Sequence, residues 1–176
     1  MKINTSLSVI IRILLWLIML LGGAWYAVFQ DISNPYFKSI SFHILSSIFG
    51  GIIIFFAFRA SANGGRELTK GRVGKIPSLE TNQLVTSGIY NCMRHPMLFG
   101  LTLLPLGWSL LLGSPTFILI IAPLEMIFIM IMVMVFEEME VSRKFGEAYE
   151  DYRHKVPMVS FQWRCLKRLF GKKLKE

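Results

Sequence analysis

The sequence predicts an all-α integral membrane protein: a bundle of about four transmembrane helices followed by a cytosolic, amphipathic C-terminal helical segment. Hydrophobic residues make up 53% of the chain, and the mean hydropathy of +0.53 exceeds what soluble domains usually show. The apolar residues fall into four long runs, and the basic residues lie between and after them. With 176 residues, the chain has the length of one domain.

The first two apolar runs cover about residues 7–29 and 40–58. The first run is long enough to cross ~30 Å of hydrocarbon at ~1.5 Å per residue. It exceeds the apolar core of a signal peptide, and further runs follow, so we interpret it as a membrane anchor. In the second run, Gly50 and Gly51 favour close helix packing. Residues 1–58 are therefore predicted to form a two-helix hairpin.

A polar, glycine-containing segment, residues 59–94, separates these runs from the third, at about 97–112. Gly113-Ser114-Pro115 is a tight-turn signal. The fourth run returns over about 116–136, and a charged tail follows it. We divide this half into a hairpin with a closing segment, residues 95–157, and a basic tail, residues 158–176.

Charge placement predicts the orientation. The segment 59–94 has six Lys and Arg residues, and the tail from Glu137 has ten. In contrast, the loop between the first two runs has a single basic residue, Lys38. The positive-inside rule therefore puts both termini and this segment in the cytosol. The net charge of +8 is then explained by contact with anionic membrane lipids rather than with nucleic acid. A bacterial inner membrane is the expected location, with the endoplasmic reticulum as the alternative.

Helix geometry brings two charged groups together. His95 lies 19 residues before Ser114 and Glu137 lies 23 residues after it. The difference of four residues corresponds to ~6 Å along a helix axis. The pairs Arg94-His95 and Glu137-Glu138 should therefore lie at nearly the same depth. The alternative is that the basic residues are interfacial anchors and the glutamates are solvated.

The two cysteines, Cys92 and Cys165, have neither CxxC spacing nor enough partners for a zinc site. We expect two free thiols in a reducing compartment and no metal.

Two sequence blocks resemble a known enzyme family. Residues 87–100 read Ser-Gly-Ile-Tyr-Asn-Cys-Met-Arg-His-Pro-Met-Leu-Phe-Gly. They resemble the Gly-x-Tyr…Arg-His-Pro-x-x-x-Gly signature of the isoprenylcysteine carboxyl methyltransferase family and of related phospholipid methyltransferases. The second block resembles that family's Glu-Glu…Phe-Gly-x-x-Tyr-x-x-Tyr…Val-Pro sequence, and it consists of Glu137-Glu138, Phe145-Gly146, Tyr149, Tyr152 and Val156-Pro157.

The resemblance, over about residues 84–157, implies an S-adenosylmethionine-dependent methyltransferase. It places the cofactor between the start of the third helix, the end of the fourth and the C-terminal segment. Arg94 and Glu137 are the candidate catalytic residues, with Arg94 facing the reacting group of the substrate. His95 is expected to donate to the carboxylate of the cofactor. The implied cofactor-binding residues are Tyr90, His95, Pro96, Gly100, Glu137, Glu138, Tyr149 and Tyr152.

Three further positions are candidates for substrate contact. Leu98 stands where relatives often have an aromatic residue, and Lys155 stands where prenylcysteine methyltransferases tend to have arginine. Glu125 is an ionisable residue inside the fourth apolar run, which predicts a function or a buried partner. Its candidate partners are His43 and the serines of the second run, Ser41, Ser46 and Ser47.

These observations predict an enzyme that methylates a lipophilic or membrane-delivered small molecule on oxygen, sulfur or nitrogen. One alternative is a phospholipid amine N-methyltransferase. Another is a non-catalytic membrane scaffold that retains the fold. Arg143, Lys144 and Glu147 are expected to be solvated surface charges.

Overall fold

The computed structural model describes residues 5–74 and 81–171, and within those ranges it contains helices and loops but no β-strand. The predicted all-α fold is confirmed. The chain forms two compact units, one of Met1–Ile54 with Leu104–Ile127 and one of Phe55–Leu103 with Phe128–Glu176.

Three helical segments are long and apolar enough to cross a membrane within the described ranges: Leu14–Asp31, Ile40–Gly71 and Phe117–Phe145. A fourth apolar segment, Pro96–Leu112, is shorter. Together they account for the four apolar runs of the sequence. Their large side chains point outward in many places, as expected where lipid rather than water is the solvent.

The first unit contains α1 (Thr5–Asp31), the first half of α2 (Ile40–Leu68) and α4 (Leu104–Leu112). It also contains the π-helical turn Phe117–Ile121 and the start of α5 (Ala122–Met132).

Glycine allows two helices of the first unit to touch. A Cβ atom on Gly50 would come within 2.8 Å of the Gly107 carbonyl oxygen, and Gly51 faces open space. The close packing predicted for this glycine pair is therefore confirmed at Gly50, where α2 meets α4.

The turn after α4 is held by a buried carboxylate. Asp31 accepts hydrogen bonds from Ser114 Oγ at 2.5 Å, Thr116 N at 2.9 Å and Thr116 Oγ1 at 2.6 Å. Gly113 has a φ of 61°, and a side chain there would collide with His43. The predicted tight turn is confirmed, and Asp31 caps the helix that follows it.

The second unit contains the rest of α2, the 3₁₀ turns Thr69–Gly71 and Gly88–Asn91, and α3 (Pro96–Thr102). The last long helix runs through the π-helical turn Val133–Glu137 into α6 (Glu138–Phe145). Two short helices follow, α7 (Glu147–Lys155) and α8 (Trp163–Phe170).

The helix formed by the fourth apolar run, Phe117–Phe145, is longer than the sequence pattern indicated. Its apolar run ends near residue 136, but the helix continues to Phe145. The chain turns at Gly146, which has a φ of 55°. Glu137 and Glu138 therefore lie inside a helix, because residues 137–145 contain no glycine or proline to end it.

The expectation of free thiols is wrong. Cys92 and Cys165 form a disulfide with their Cα atoms 5.6 Å apart. Cys165 lies in a buried cluster where α8 packs on the turn Gly88–Asn91. The two residues are 73 positions apart in the chain, so their meeting depends on tertiary packing that residue spacing does not reveal.

Candidate functional site

The two motif blocks of the second unit are joined by hydrogen bonds. The backbone N–H groups of Arg94 and His95 donate to the carbonyls of Pro157 and Met158, at 2.9 and 3.1 Å. The Tyr152 hydroxyl donates to the carbonyl of Tyr90 at 2.5 Å. Segments about 60 residues apart in sequence therefore build one local structure.

Arg94 and Glu138 form a buried ion pair at the centre of this structure. The Nη2 and Nε atoms of Arg94 lie 2.6 and 3.0 Å from Glu138 Oε1. Nη1 donates to the carbonyls of Arg153 and Val156, both at 2.9 Å. The guanidinium of Arg94 thereby links the end of α7 to the start of α6.

His95 lies between the two glutamates. Its Nε2 is 3.2 Å from Glu138 Oε1, and its Nδ1 is 3.8 Å from Glu137 Oε2. Burial lowers the pKa of His95 below the ordinary 6.5, although both carboxylates oppose the shift. The ring is therefore neutral at pH 7. With the proton on Nε2, the ring donates to Glu138 and Nδ1 is an acceptor towards Glu137; with the proton on Nδ1, the ring donates towards Glu137.

The two glutamates differ in exposure. The Glu138 side chain is 7% exposed and the Glu137 side chain is 43% exposed. Glu138 is surrounded by Arg94, His95 and, at 3.5 Å, Nε of Arg153. Glu138 is thus a fixed internal anion, whereas Glu137 presents its carboxylate near the surface beside His95.

The structure adds a third carboxylate that the sequence pattern did not single out. Burial raises the pKa of Tyr90, and the carboxylates of Glu137 and Glu67 raise it further. Glu67, on α2, pairs with Lys70 at 2.7 Å. Its carboxylate fills the space beside Gly88, where a Cβ atom would lie 2.7 Å from Oε2. The sequence feature that could have indicated this contact is the glycine of the Gly-x-Tyr motif, Gly88, because its lack of a side chain makes room for Glu67.

The tyrosines of α7 face inward. Tyr149 and Tyr152 form a buried cluster with Val156, packed against Leu84. Burial, with the nearby Glu138 carboxylate, raises the pKa of Tyr149 to about 12. The Tyr149 hydroxyl is buried and has no hydrogen bond of good geometry within the described ranges, but it lies close enough to Glu138 for hydrogen bonding to that carboxylate to contribute to its raised pKa. It is a neutral donor close to the fixed anion.

The remaining site candidates lie around α3. Pro96 is buried at the first turn of this helix, as its missing N–H favours. Leu98 is buried. Gly100 backs onto α2, where a Cβ atom would collide with Ala57 and Ser61. The approach that Gly100 permits is therefore between two helices.

The other two substrate candidates are Lys155 and Glu125. Lys155 is exposed at the end of α7. Glu125 belongs to the first unit, where it is buried beside Gly23. The proposed partner His43 instead contacts the Phe37 carbonyl, with its Nε2 at 2.5 Å.

A cavity of about 250 Å³ opens next to Glu138. It is lined by Met134, Glu138, Met139, Ser142, Arg143 and Arg153.

Comparison with known proteins identifies the family of the chain. No curated protein matches the chain. The sequence profile named "Phospholipid methyltransferase" matches residues 44–148, more than half of the chain. The matched region includes Arg94, His95, Glu137 and Glu138. On the strength of that match, the chain belongs to the phospholipid methyltransferase family.

Proposed function

We propose that this protein is an S-adenosylmethionine-dependent methyltransferase that acts on a lipophilic acceptor at the cytosolic face of its membrane. The observation that supports the proposal is the arrangement at His95. A neutral imidazole nitrogen and the exposed carboxylate of Glu137 face the same region, while Glu138 is held by Arg94.

The chemistry of these side chains fits the cofactor. S-adenosylmethionine carries a positive sulfonium and a positive amino group. The carboxylates of Glu137 and Glu67 both raise the pKa of Tyr90, so their field favours a cation in this region. The Nδ1 lone pair of His95 accepts an N–H, and the buried hydroxyl of Tyr149 is a further donor.

For His95 we propose a role that differs from the one that the sequence resemblance implied. Donation to the carboxylate of the cofactor requires a proton on Nδ1. We assign the proton of the neutral ring to Nε2, because Nε2 lies 3.2 Å from Glu138 whereas Nδ1 lies 3.8 Å from Glu137. Nδ1 then acts as an acceptor. In the proposed site His95 therefore contacts the amino group rather than the carboxylate.

When bound, the cofactor supplies the methyl group. The chain holds the cofactor and the acceptor in position. Such orientation can lower the activation barrier of a reaction by ~7–11 kcal/mol. Arg94 fixes Glu138, Glu138 fixes the tautomer of His95, and Glu137 binds beside it. In this proposal Arg94 positions Glu138 through their ion pair and does not contact the cofactor, whereas Glu137 contacts the cofactor directly.

The identity of the acceptor has two candidates. A carboxylate acceptor, as on prenylcysteine, needs a guanidinium that can reach it. Arg94 already donates to Glu138 and to two backbone carbonyls. These contacts, together with the description of the matched family, favour the second candidate, a phospholipid amine. An ammonium acceptor must lose a proton before attack, and Glu137 is the proposed base.

Titration calorimetry of the purified protein with S-adenosylmethionine tests the cofactor. Saturable binding is expected, and its absence would favour the alternative of a non-catalytic scaffold. Transfer of a labelled methyl group is then measured to a prenylcysteine analogue and to phosphatidylethanolamine. Exclusive transfer to prenylcysteine would contradict the preference for an amine.

A further inference from the structure

The last helix of the described chain, α8, has one buried face and one open face. Cys165 and Leu169 are both buried, and they lie four positions apart, on one side of the helix. Trp163 and Lys167 have the same spacing and lie on the opposite side, where Trp163 is 71% exposed. The protein therefore covers one side of α8 and leaves the other side open to its surroundings.

The open face of α8 is basic and aromatic. It carries Arg164, Lys167 and Arg168, which are all exposed, and the Lys167 ammonium lies 5.3 Å from the centre of the Trp163 ring. Residues 158–171 contain no aspartate or glutamate. Among the described residues, the side chains of Arg164 and Arg168 have no hydrogen bond or ion pair. The face therefore carries three positive charges that no acid of the described chain neutralises.

Side chains of α2 determine the level of α8 relative to the membrane. Arg59 is the first Lys, Arg, Asp or Glu of α2, so it marks the depth at which this helix leaves the hydrocarbon. Its Nε donates to the Phe170 carbonyl at 2.5 Å. Asn63, one turn later, donates to the Leu169 carbonyl at 2.6 Å. The C-terminal end of α8 is therefore held at the boundary of the hydrocarbon.

Aromatic contacts make the surface of α8 continuous with the apolar surface of the membrane helices. The Phe170 ring lies 5.1 Å from the Phe56 ring of α2, and the Phe161 ring lies 5.6 Å from the Phe99 ring of α3. Phe161 is itself exposed, as is Phe58 on α2. Aromatic side chains are favoured at the level of the lipid headgroups. The open face of α8 thus adjoins the surface that is expected to contact lipid.

We propose that the open face of α8, formed by Trp163, Arg164, Lys167 and Arg168, binds the anionic headgroups of the bilayer leaflet at this end of α2. Each basic residue near a charged leaflet adds attraction, and an aromatic ring beside basic side chains suits a helix that lies at the interface. The partner is the membrane surface, because the contact with Arg59 places α8 at the boundary of the hydrocarbon.

This surface goes beyond the proposed function and does not depend on methyl transfer. The lipids that it binds serve as a docking surface for α8 and not as methyl acceptors. The proposal narrows the contact with anionic lipids, which the sequence suggested only from the net charge, to one helix face.

The test uses the full chain without cofactor, in nanodiscs made of equal amounts of phosphatidylglycerol and phosphatidylcholine. Bromine atoms high on the acyl chains quench a nearby tryptophan, so each lipid is brominated in turn and its brominated fraction is titrated. The difference in emission between the wild type and Trp163→Phe isolates Trp163. Phosphatidylglycerol should be favoured about fivefold around this residue, which corresponds to ~1 kcal/mol.

Removal of the basic face should abolish this preference. The variant combines Arg164→Gln, Lys167→Gln and Arg168→Gln, all at exposed positions. In the wild type, ~1 M salt should reduce the preference, because the Debye length falls to ~3 Å.

The matched control combines Arg143→Gln, Lys144→Gln and Lys155→Gln, which remove the same charge from exposed positions of α6 and α7. The preference at Trp163 should survive in this variant. A second control isolates Trp25, which is exposed on α1, by comparison with Trp25→Phe. The two brominated lipids should quench Trp25 equally.

Four results would overturn the proposal. Equal quenching of Trp163 by the two lipids would show no selection of anionic headgroups. A preference that persists without the three basic residues of α8, or one that is lost equally in the control with three substitutions, would show that the basic face is not its source. Quenching of Trp163 by neither lipid would show that α8 faces water or another protein.

Discussion

Arg94 and Glu138 form a buried ion pair, with Nη2 2.6 Å from Oε1, that joins the residue before His95 to the first residue of α6. Their side chains are 11% and 7% exposed. A pair this enclosed is screened little by salt. Removing one partner leaves the other buried without compensation, so the pair is a sensitive point of the second unit.

Arg94→Gln should lower the free energy of unfolding by about 3 kcal/mol, because Glu138 would remain as an uncompensated buried charge. Arg94→Lys should recover little, since an ammonium cannot reach Glu138 and two backbone carbonyls together. Thermal unfolding in detergent measures both variants. Arg164→Gln, at an exposed position, is the control. Equal melting of the Arg94 and Arg164 variants would contradict the structural role of the pair.

Glu137→Gln and Glu138→Gln should have different effects. The exposed Glu137 carboxylate is proposed to contact the cofactor, so its neutralisation should weaken S-adenosylmethionine binding about tenfold, at ~1.4 kcal/mol, with little change in melting temperature. Glu138→Gln should reduce both binding and stability. Calorimetry and thermal unfolding on the same samples separate the two effects. The assignment is wrong if Glu137→Gln proves to be the destabilising variant.

Cofactor affinity should fall as the pH is lowered from 8 to 5. The pKa of His95 in the folded protein lies below its ordinary value of 6.5, so folding favours the neutral ring. Its contribution to stability is present above pH 6.5 and is lost at lower pH, by at most ~1.4 kcal/mol per pH unit. Protonation also removes the Nδ1 acceptor and adds a positive charge near a cationic ligand.

His95→Asn should flatten this pH profile, because an amide does not titrate. His154→Asn, at an exposed position, should keep the wild-type profile. If the His154 variant proves flat and the His95 variant does not, the pH dependence has another source.

Tyr152→Phe should destabilise the protein by about 1 kcal/mol. The substitution removes the hydroxyl that donates to the Tyr90 carbonyl at 2.5 Å and leaves that carbonyl buried without this donor. Tyr36→Phe is the comparison, since Tyr36 is 65% exposed. Chemical denaturation that gives the same midpoint for both variants would argue against a structural role for this bond.

Asp31→Asn should destabilise the first unit by about 2 kcal/mol, because Asp31 accepts three hydrogen bonds from Ser114 and Thr116 and bonds to a charged group are worth ~1.5–3 kcal/mol each. The matched control is Asp151→Asn, which changes the other aspartate of the sequence at an exposed position. Thermal unfolding compares them, and a harmless Asp31→Asn would show that an amide caps the turn equally well.

Much of this architecture could be predicted because the membrane restricts the choices. Apolar run length identified the three helices that are long enough to cross a membrane, whereas the third run forms the shorter α3 and α4. Helix rise predicted that His95 lies near Glu137, and the two side chains are 3.8 Å apart. The end of the helix formed by the fourth apolar run was harder to predict. Hydropathy ends at residue 136, whereas the backbone continues until Gly146 adopts a positive φ.

The parts that escaped prediction depend on contacts between distant residues. Nothing in the spacing of Cys92 and Cys165 indicates that α8 returns to the turn Gly88–Asn91. Charge counts likewise do not reveal that Arg94 is occupied by Glu138 or that Glu67 approaches Tyr90. Such pairings arise from packing, and a single sequence carries little information about them.

The backbone pairing of Arg94 and His95 with Pro157 and Met158 has a consequence for biosynthesis. A ribosome makes the chain from its N-terminus, so every apolar helix has been synthesised before Pro157 and Met158 emerge. The nascent protein therefore enters the bilayer with an unfinished centre, and chemistry becomes possible only after its last turns fold back. A stop codon placed before Pro157 should yield an inserted but inert product.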